Sequence, residues 1–136
     1  LISPVPHPRC MVSDWVDKLG KPGRILCATD QYFTPAGADD VARALGALIG
    51  AGASGLYHLG GPQRLGRRQL LQAVVDEYAR HAAVKAEIVD CSLREIPVRE
   101  PRPLDLSMDS SRARASLRPA EEVARAAVRR ALEASR

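Results

Sequence analysis

Arg102 sits between Pro101 and Pro103. A residue that precedes proline is pushed into extended backbone, and a guanidinium held that way is able to grip an oxyanion such as a diphosphate bidentately, with little entropy left to lose. A second polar stretch, Asp30-Gln31-Tyr32-Phe33-Thr34-Pro35-Ala36, follows an apolar run and precedes a helical repeat, the place where α/β proteins put ligand-binding loops. Asp30, Gln31 and Thr34 are its hydrogen-bonding members, suited to line a site or to organise the turn itself. A third stretch is Gly55-Leu56-Tyr57-His58-Leu59-Gly60-Gly61. His58 on a buried strand reads as a hydrogen-bonded core residue, and Gly60-Gly61 ahead of a helix offers room for a phosphate. Asp109, Ser110 and Ser111 suit the unpaired N–H groups at a helix start.

Two kinds of chemistry are missing. Holding a dinucleotide in the Rossmann manner needs a glycine-rich turn from strand to helix early in the chain, and no such fingerprint is present. Tyr32, Tyr57 and Tyr78 are followed four residues later by Ala36, Gly61 and Ala82, so no tyrosine has a lysine at the spacing that assists proton transfer. The expectation is a chain with no catalytic and no cofactor-binding residues of its own, inert alone and without dinucleotide affinity. Cys10, Cys27 and Cys91 are odd in number and far apart, which argues against a disulfide framework and a metal site and suits a reducing cytoplasm.

The formal charge is +4, and 17 of the 20 basic residues are arginine. These arginines are scattered among glutamates along helical stretches, the pattern of a solvated face, so nucleic acid is not an expected partner. No apolar run is long enough for a membrane span or a signal segment. The chain opens on Leu1 rather than Met and is expected to be part of a longer protein.

These groups need elements to hold them. At 136 residues the chain suits one compact domain that buries roughly two-thirds of its unfolded surface. With only 4% aromatics, its core must be mostly Leu, Val, Ile and Ala. Leu1 to Pro8 has three prolines and cannot be a regular element. Val12, Trp15, Val16 and Leu19 share one face of a helix over about 9–19, which Gly20 ends with a left-handed cap. A strand over 24–28, a helix over 38–49 and a strand over 56–59 follow. The middle helix carries Asp39 and Asp40 in its first turn and has Val41, Leu45, Leu48 and Ile49 on one face; Gly50 and Gly52 end it. A helix over about 66–81 buries Leu70, Leu71, Val74, Val75 and Tyr78. Then come a strand over 86–89, a capping box in Ser92-Leu93-Arg94-Glu95, an extended Pro97-Pro101-Pro103 segment, and a last helix after Pro119. That helix turns Val123, Ala127, Val128, Ala131 and Leu132 inward and keeps Glu121, Arg125 and Arg129 outside as a charge ladder. Trp15, Leu45, Leu48, Leu71, Val74 and Leu132 are expected to be buried. The alternation implies an α/β fold, a small and mostly parallel sheet with helices.

The three polar stretches, in this order and spacing, resemble the dTDP-4-dehydrorhamnose reductase-like members of the extended short-chain dehydrogenase/reductase family. The loop from Asp30 is similar to that family's D-Q-x-G-x-P-T, with Ala38-Asp39-Asp40-Val41-Ala42 matching A-x-D-L-A. Gly55 to Gly61 is similar to G-I-Y-H-L-A-G, and Arg102 to Arg112 resembles R-P-x-x-S-x-L-D-x-S-K. Phe33 stands in place of Gly, Ala36 of Thr, Leu106 of Ser and Arg112 of Lys. The resemblance covers about residues 10 to 134. It implies the C-terminal portion of a Rossmann-type enzyme, with 1–136 a single partial domain that binds a sugar nucleotide and an N-terminal NAD(P)-binding part as its partner. By resemblance Arg102 contacts the diphosphate and Asp30, Gln31 and Thr34 line the same cleft. The complete protein would be an NADP- or NAD-dependent nucleotide-sugar reductase of dTDP-L-rhamnose biosynthesis, with a homodimer left open. A non-catalytic binding subunit of the same fold, like the beta subunit of methionine adenosyltransferase, is the alternative. An unrelated arginine-rich interaction domain is the third reading.

Overall fold

The computed structural model describes residues 1–3, 10–97, 100, 102–116 and 118–134. In chain order the elements are α1 Met11–Leu19, β1 Gly23–Ala28, β2 Tyr32–Phe33, α2 Ala38–Gly50, β3 Leu65–Gly66, α3 Arg67–Ala79, β4 Ala86–Cys91, β5 Asp105–Leu106 and α4 Ala120–Glu133. Short 3₁₀ turns occupy Leu93–Glu95 and Ser111–Ser116. The fold is α/β, and its strands form two small sheets. β1 and β4 pair in parallel, from Gly23 opposite Ala86 to Ala28 opposite Cys91. The second sheet has the order β3-β2-β5, antiparallel between β2 and β3 and parallel between β2 and β5.

The core lies where α1, α3 and α4 pack together and α1 and α3 meet β1. Val12, Trp15, Val16 and Leu19 of α1 are buried, as are Leu70, Leu71, Val74 and Tyr78 of α3 and Val123, Ala124 and Val128 of α4. These are the faces that the 3.6-residue spacing marks. Val75, Ala127, Ala131 and Leu132 are partly buried at the margin of this core. Gly20 differs from expectation. Its φ is −78°, so it is no left-handed cap; a Cβ there would meet the Tyr78 hydroxyl at 2.8 Å, and close approach is what the missing side chain permits. α2 does run through Gly50, with Gly52 at φ 61° just beyond.

Two expectations fail for one reason. Leu45 is 47% and Ile49 78% exposed, and Leu48 is only half-buried. In α2 it is Asp40 and Ala44 that are buried. Residues 56–59 form no strand, Leu56 is 73% exposed, and His58 is exposed rather than a core residue. An apolar face or extended run becomes core or strand only when something covers or pairs with it, and the described residues supply neither. Arg112 holds this stretch instead, its guanidinium 4.0 Å from the Tyr57 ring centroid and bonded to the Leu56 carbonyl. At the N-terminus, Ile2 bridges the Ala36 carbonyl and the Ala38 N–H. Residues 4–9, within the proline-rich opening, and Pro101 lie outside the described part.

Two buried carboxylates tie elements together. Asp40 accepts from Arg118 at 2.9 and 3.2 Å and also pairs with Arg43, which locks the chain entering α4 against α2. Glu77 of α3 accepts from Arg129 of α4 at 2.9 Å, from Arg80 at 3.4 Å, and meets His81 Nε2 at 3.1 Å. Arg129 therefore clamps two helices rather than completing a solvated ladder.

Leu71→Ala should cost about 2 to 5 kcal/mol, whereas Leu45→Ala, on an exposed face, should stay within about 0.5 kcal/mol of the parent. Thermal or urea melts measure both. Burial alone would raise the Glu77 pKa, but the bonds from His81 and Arg129 and the charges of Arg129 and Arg80 outweigh it and hold it below the ordinary 4.5. The unfolded chain therefore takes up this proton first as pH falls. Glu77 stabilises the fold fully above pH 4.5, and the contribution disappears as pH drops through the lowered folded value. Glu77→Gln should cost about 1 to 3 kcal/mol at neutral pH and flatten the acid limb of a pH–stability curve; an unchanged acid limb would exclude this carboxylate as its source.

Candidate ligand-binding site

β1 delivers the first polar loop. Thr29 continues the ladder through its N–H to the Cys91 carbonyl, and the next carboxylate, Asp30, turns toward the segment after β4. It accepts from the Ser92 hydroxyl at 2.6 Å and from the Leu93 N–H at 2.8 Å, and these bonds lower its pKa. Ser92 and Glu95 complete the capping box of that 3₁₀ turn, as their spacing predicts. Asp30 thus organises a turn and is not among the residues lining the cleft described next.

The chain then crosses the head of α3. The Gln31 carbonyl accepts from the Arg67 N–H at 2.9 Å, and its side-chain oxygen from Arg67 Nη1 at 3.2 Å. Tyr32 donates to the Leu104 carbonyl at 2.7 Å, which draws the Arg102 segment alongside. Arg64 stacks 3.8 Å from the Tyr32 ring centroid and bonds Asp105 at 2.9 and 3.1 Å. Ser107 donates to the same carboxylate from both hydroxyl and N–H, and with Arg64 it holds the Asp105 pKa at about 2.

Next comes a close backbone crossing. The Thr34 hydroxyl accepts from Met108 N–H at 3.2 Å and its carbonyl from Gly61 N–H at 2.9 Å. Gly60 N–H donates to the Ser110 hydroxyl at 2.9 Å. Both glycine amides are therefore engaged within the protein, and the turn is not a phosphate cradle. Of the three residues expected at a helix start, Asp109 accepts from Ser111 N–H at 2.9 Å, while Ser110 braces Gly60.

These contacts enclose a cleft of about 560 Å³ in which Gln31, Thr34, Arg67 and Arg102 are the polar lining, with Leu106 and Met108 on the apolar side. Phe33 and Ala36, the residues that depart from the resembling loop, line it too. Three of the four expected site residues thus meet in one place, and Asp30 stands behind them. A hollow of about 690 Å³ that Arg102 also lines runs along Leu93–Pro97 and Arg102–Leu104. It is not lined by the Asp30 loop, so the smaller cleft is the candidate site.

Arg67 is the residue that pattern reading missed. One signal was available. Arg67 and Arg68 open α3, although the start of a helix favours negative charge. Arg68 is balanced by Asp90 at 2.8 Å and Gln72 at 2.7 Å. Arg67 lies over Trp15, 5.5 Å from its ring centroid, with no hydrogen-bond partner for its buried Nε. Burial lowers its pKa, and the neighbouring Arg102 charge acts in the same direction. Cys10 and Cys27 are buried and Cys91 half-buried, all as free thiols.

This α/β arrangement is similar in fold to part of several solved nucleotide-sugar enzymes. A dTDP-4-dehydrorhamnose reductase from Clostridium acetobutylicum superposes with a TM-score of 0.78 at 14% identity, over 90% of this chain and 44% of that one. One from Bacillus anthracis, in complex with NADP, gives 0.74 at 16% identity over 90% and 43%. A UDP-glucuronic acid 4-epimerase from Bacillus cereus, in complex with UDP-glucuronic acid and NAD, gives 0.62 at 13% identity over 94% and 41%. Residues 7–136 match the model of the RmlD substrate binding domain, and the chain belongs to that family. It spans less than half the length of these solved relatives. No curated protein matches it. Among the described residues no helix is long and apolar enough to cross a membrane.

Gly61→Ala should destabilise the backbone crossing beside the cleft, because its Cβ would sit 2.0 Å from the Pro35 carbonyl oxygen; a loss of about 1 to 3 kcal/mol is expected. Gly46→Ala, on α2 with nothing within 4 Å, should instead stabilise by about 0.5 to 1 kcal/mol. Paired melts check the contrast in sign.

Proposed function

We propose that the cleft binds a nucleotide sugar and that the chain is the substrate-binding part of an NAD(P)-dependent nucleotide-sugar reductase of the dTDP-4-dehydrorhamnose reductase type. The observation that carries this reading is the convergence of Arg102, Gln31 and Thr34 on one cleft. In this proposal Arg102, exposed at the rim, grips the diphosphate, Gln31 offers an amide to the sugar or base, and the apolar wall of Leu106 and Met108 covers a ring face. Thr34, whose hydroxyl already accepts from Met108, retains its proton for a ligand oxygen.

Among the described residues, the exit of β1 does not suit a dinucleotide. β1 runs through Thr29 into Asp30, a carboxylate occupied by Ser92 and Leu93, where a phosphate cradle would need glycine and free N–H groups. Cofactor binding and proton transfer are therefore assigned to a Rossmann part elsewhere in a complete cytoplasmic protein. This chain contributes binding and orientation of the substrate.

A non-catalytic binding subunit of the same fold is the second reading, favoured by Phe33 and Ala36 in the cleft wall. They add bulk and remove a hydroxyl where a reductase loop has Gly and Thr.

In the complete protein Arg102→Ala should weaken nucleotide-sugar binding by about ten- to a hundredfold, the equivalent of one charged hydrogen bond to phosphate. Arg125→Ala, on the exposed side of α4, should leave it unchanged. Calorimetric titration with dTDP-rhamnose measures both, and equal effects would remove Arg102 from the site.

A further inference from the structure

Arg67 is an unusual cation. Arg24, Arg43, Arg64, Arg68, Arg80, Arg118 and Arg129 each pair with a carboxylate; among the described residues neither Arg67 nor Arg102 does. Withdrawing a guanidinium from water is costly unless its donors are filled. Arg67 is half-buried, yet its side chain has one hydrogen-bond partner among the described residues, Gln31, and its Nε has none. It also stands at the positive end of α3 beside a second guanidinium that lines the same cleft. An oxyanion between the two would complement the helix end, the open fork and the charge repulsion together.

We propose that Arg67 and Arg102 jointly hold one diphosphate-type oxyanion, with Gln31 aiming the Arg67 fork into the cleft. The inference rests on the nucleotide-sugar reading for the identity of the ligand, and on the geometry of Arg67 for the second contact. The merely structural role for Arg67 is to cover Trp15 as a cation over an aromatic face, and the two roles separate experimentally. Trp15 is the only tryptophan, so its emission reports the surroundings of Arg67 directly.

The 136-residue chain is titrated with inorganic pyrophosphate and, separately, with dTDP-rhamnose, following Trp15 emission. Saturable binding of both is expected. Arg67→Gln and Arg102→Gln should each weaken pyrophosphate by about tenfold or more, with Arg125→Gln unchanged. Pyrophosphate affinity at the parental level in Arg67→Gln, or no saturable pyrophosphate binding by the parent, would overturn the proposal. If dTDP-rhamnose binding depends on Arg102 and not on Arg67, the nucleotide-sugar reading survives and this inference does not. If pyrophosphate binding depends on both arginines but dTDP-rhamnose is not bound, the oxyanion site survives and the nucleotide-sugar reading does not. Should Arg67→Gln fail to fold, Arg67→Lys decides, because it keeps a cation over Trp15 without the fork; parental pyrophosphate affinity there likewise overturns the proposal.

Discussion

The register of β1 against β4 is the constraint on which the candidate site depends. Cys27 opposite Asp90 and Ala28 opposite Cys91 fix where β1 leaves the sheet, and the side-chain period of two means that a slip by one residue would turn Ile25 and Cys27 out of the core. With that register, Asp30 arrives at Ser92 and Leu93 and Gln31 arrives at the head of α3. Gln31 and Thr34, two of the four polar residues lining the cleft, follow from this exit point. The Asp30 clamp therefore acts on the site from behind: it sets the direction in which Gln31 and Thr34 emerge without touching what they would bind.

How much of this was legible in the sequence depended on where the covering atoms come from. The faces of α1, α3 and α4 could be read from spacing because each finds its cover within the chain, Trp15 and Leu19 against α3 and Val128 against the same core. α2 has just as regular an apolar face, and the same reasoning put Leu45 in a core that the described residues do not provide. Periodicity says that a face is apolar. It does not say what covers it. The extended run 56–59 failed in the same way, since strand formation is a property of two partners and no strand pairs with it among the described residues.

Residue type located the cleft better than it assigned roles. Gln31, Thr34 and Arg102 line one cleft, while Asp30, chemically the most ligand-like of the loop, anchors a 3₁₀ turn. A carboxylate one residue beyond a strand is as well placed to cap the next turn as to face a ligand, and only tertiary structure decides. Arg67 was hidden for the opposite reason: it belongs to an arginine-rich surface, seven of whose members pair with carboxylates, and it stands in the first turn of a helix where basic residues are locally disfavoured. Such a conflict between local preference and observed residue type tends to mark function, and this is the one such conflict in the cleft that its neighbours leave unresolved.

The cleft is assembled from segments far apart in sequence, yet few of its parts depend on side-chain chance. Backbone and near-backbone bonds link Tyr32 to Leu104, Thr34 to Gly61 and Met108, and Gly60 to Ser110, so that three separate loops brace each other. Gly61 allows the tightest of these crossings because no Cβ intervenes at Pro35. A site made of loops is ordinarily the mobile part of a domain. Cross-bracing of this kind removes the reorganisation that binding would otherwise require, so that a ligand's contacts appear as affinity rather than as loop ordering. In the proposed complex Arg102, at the exposed rim, would close on the ligand, while Arg67, braced by Gln31 and Trp15, would already be in place.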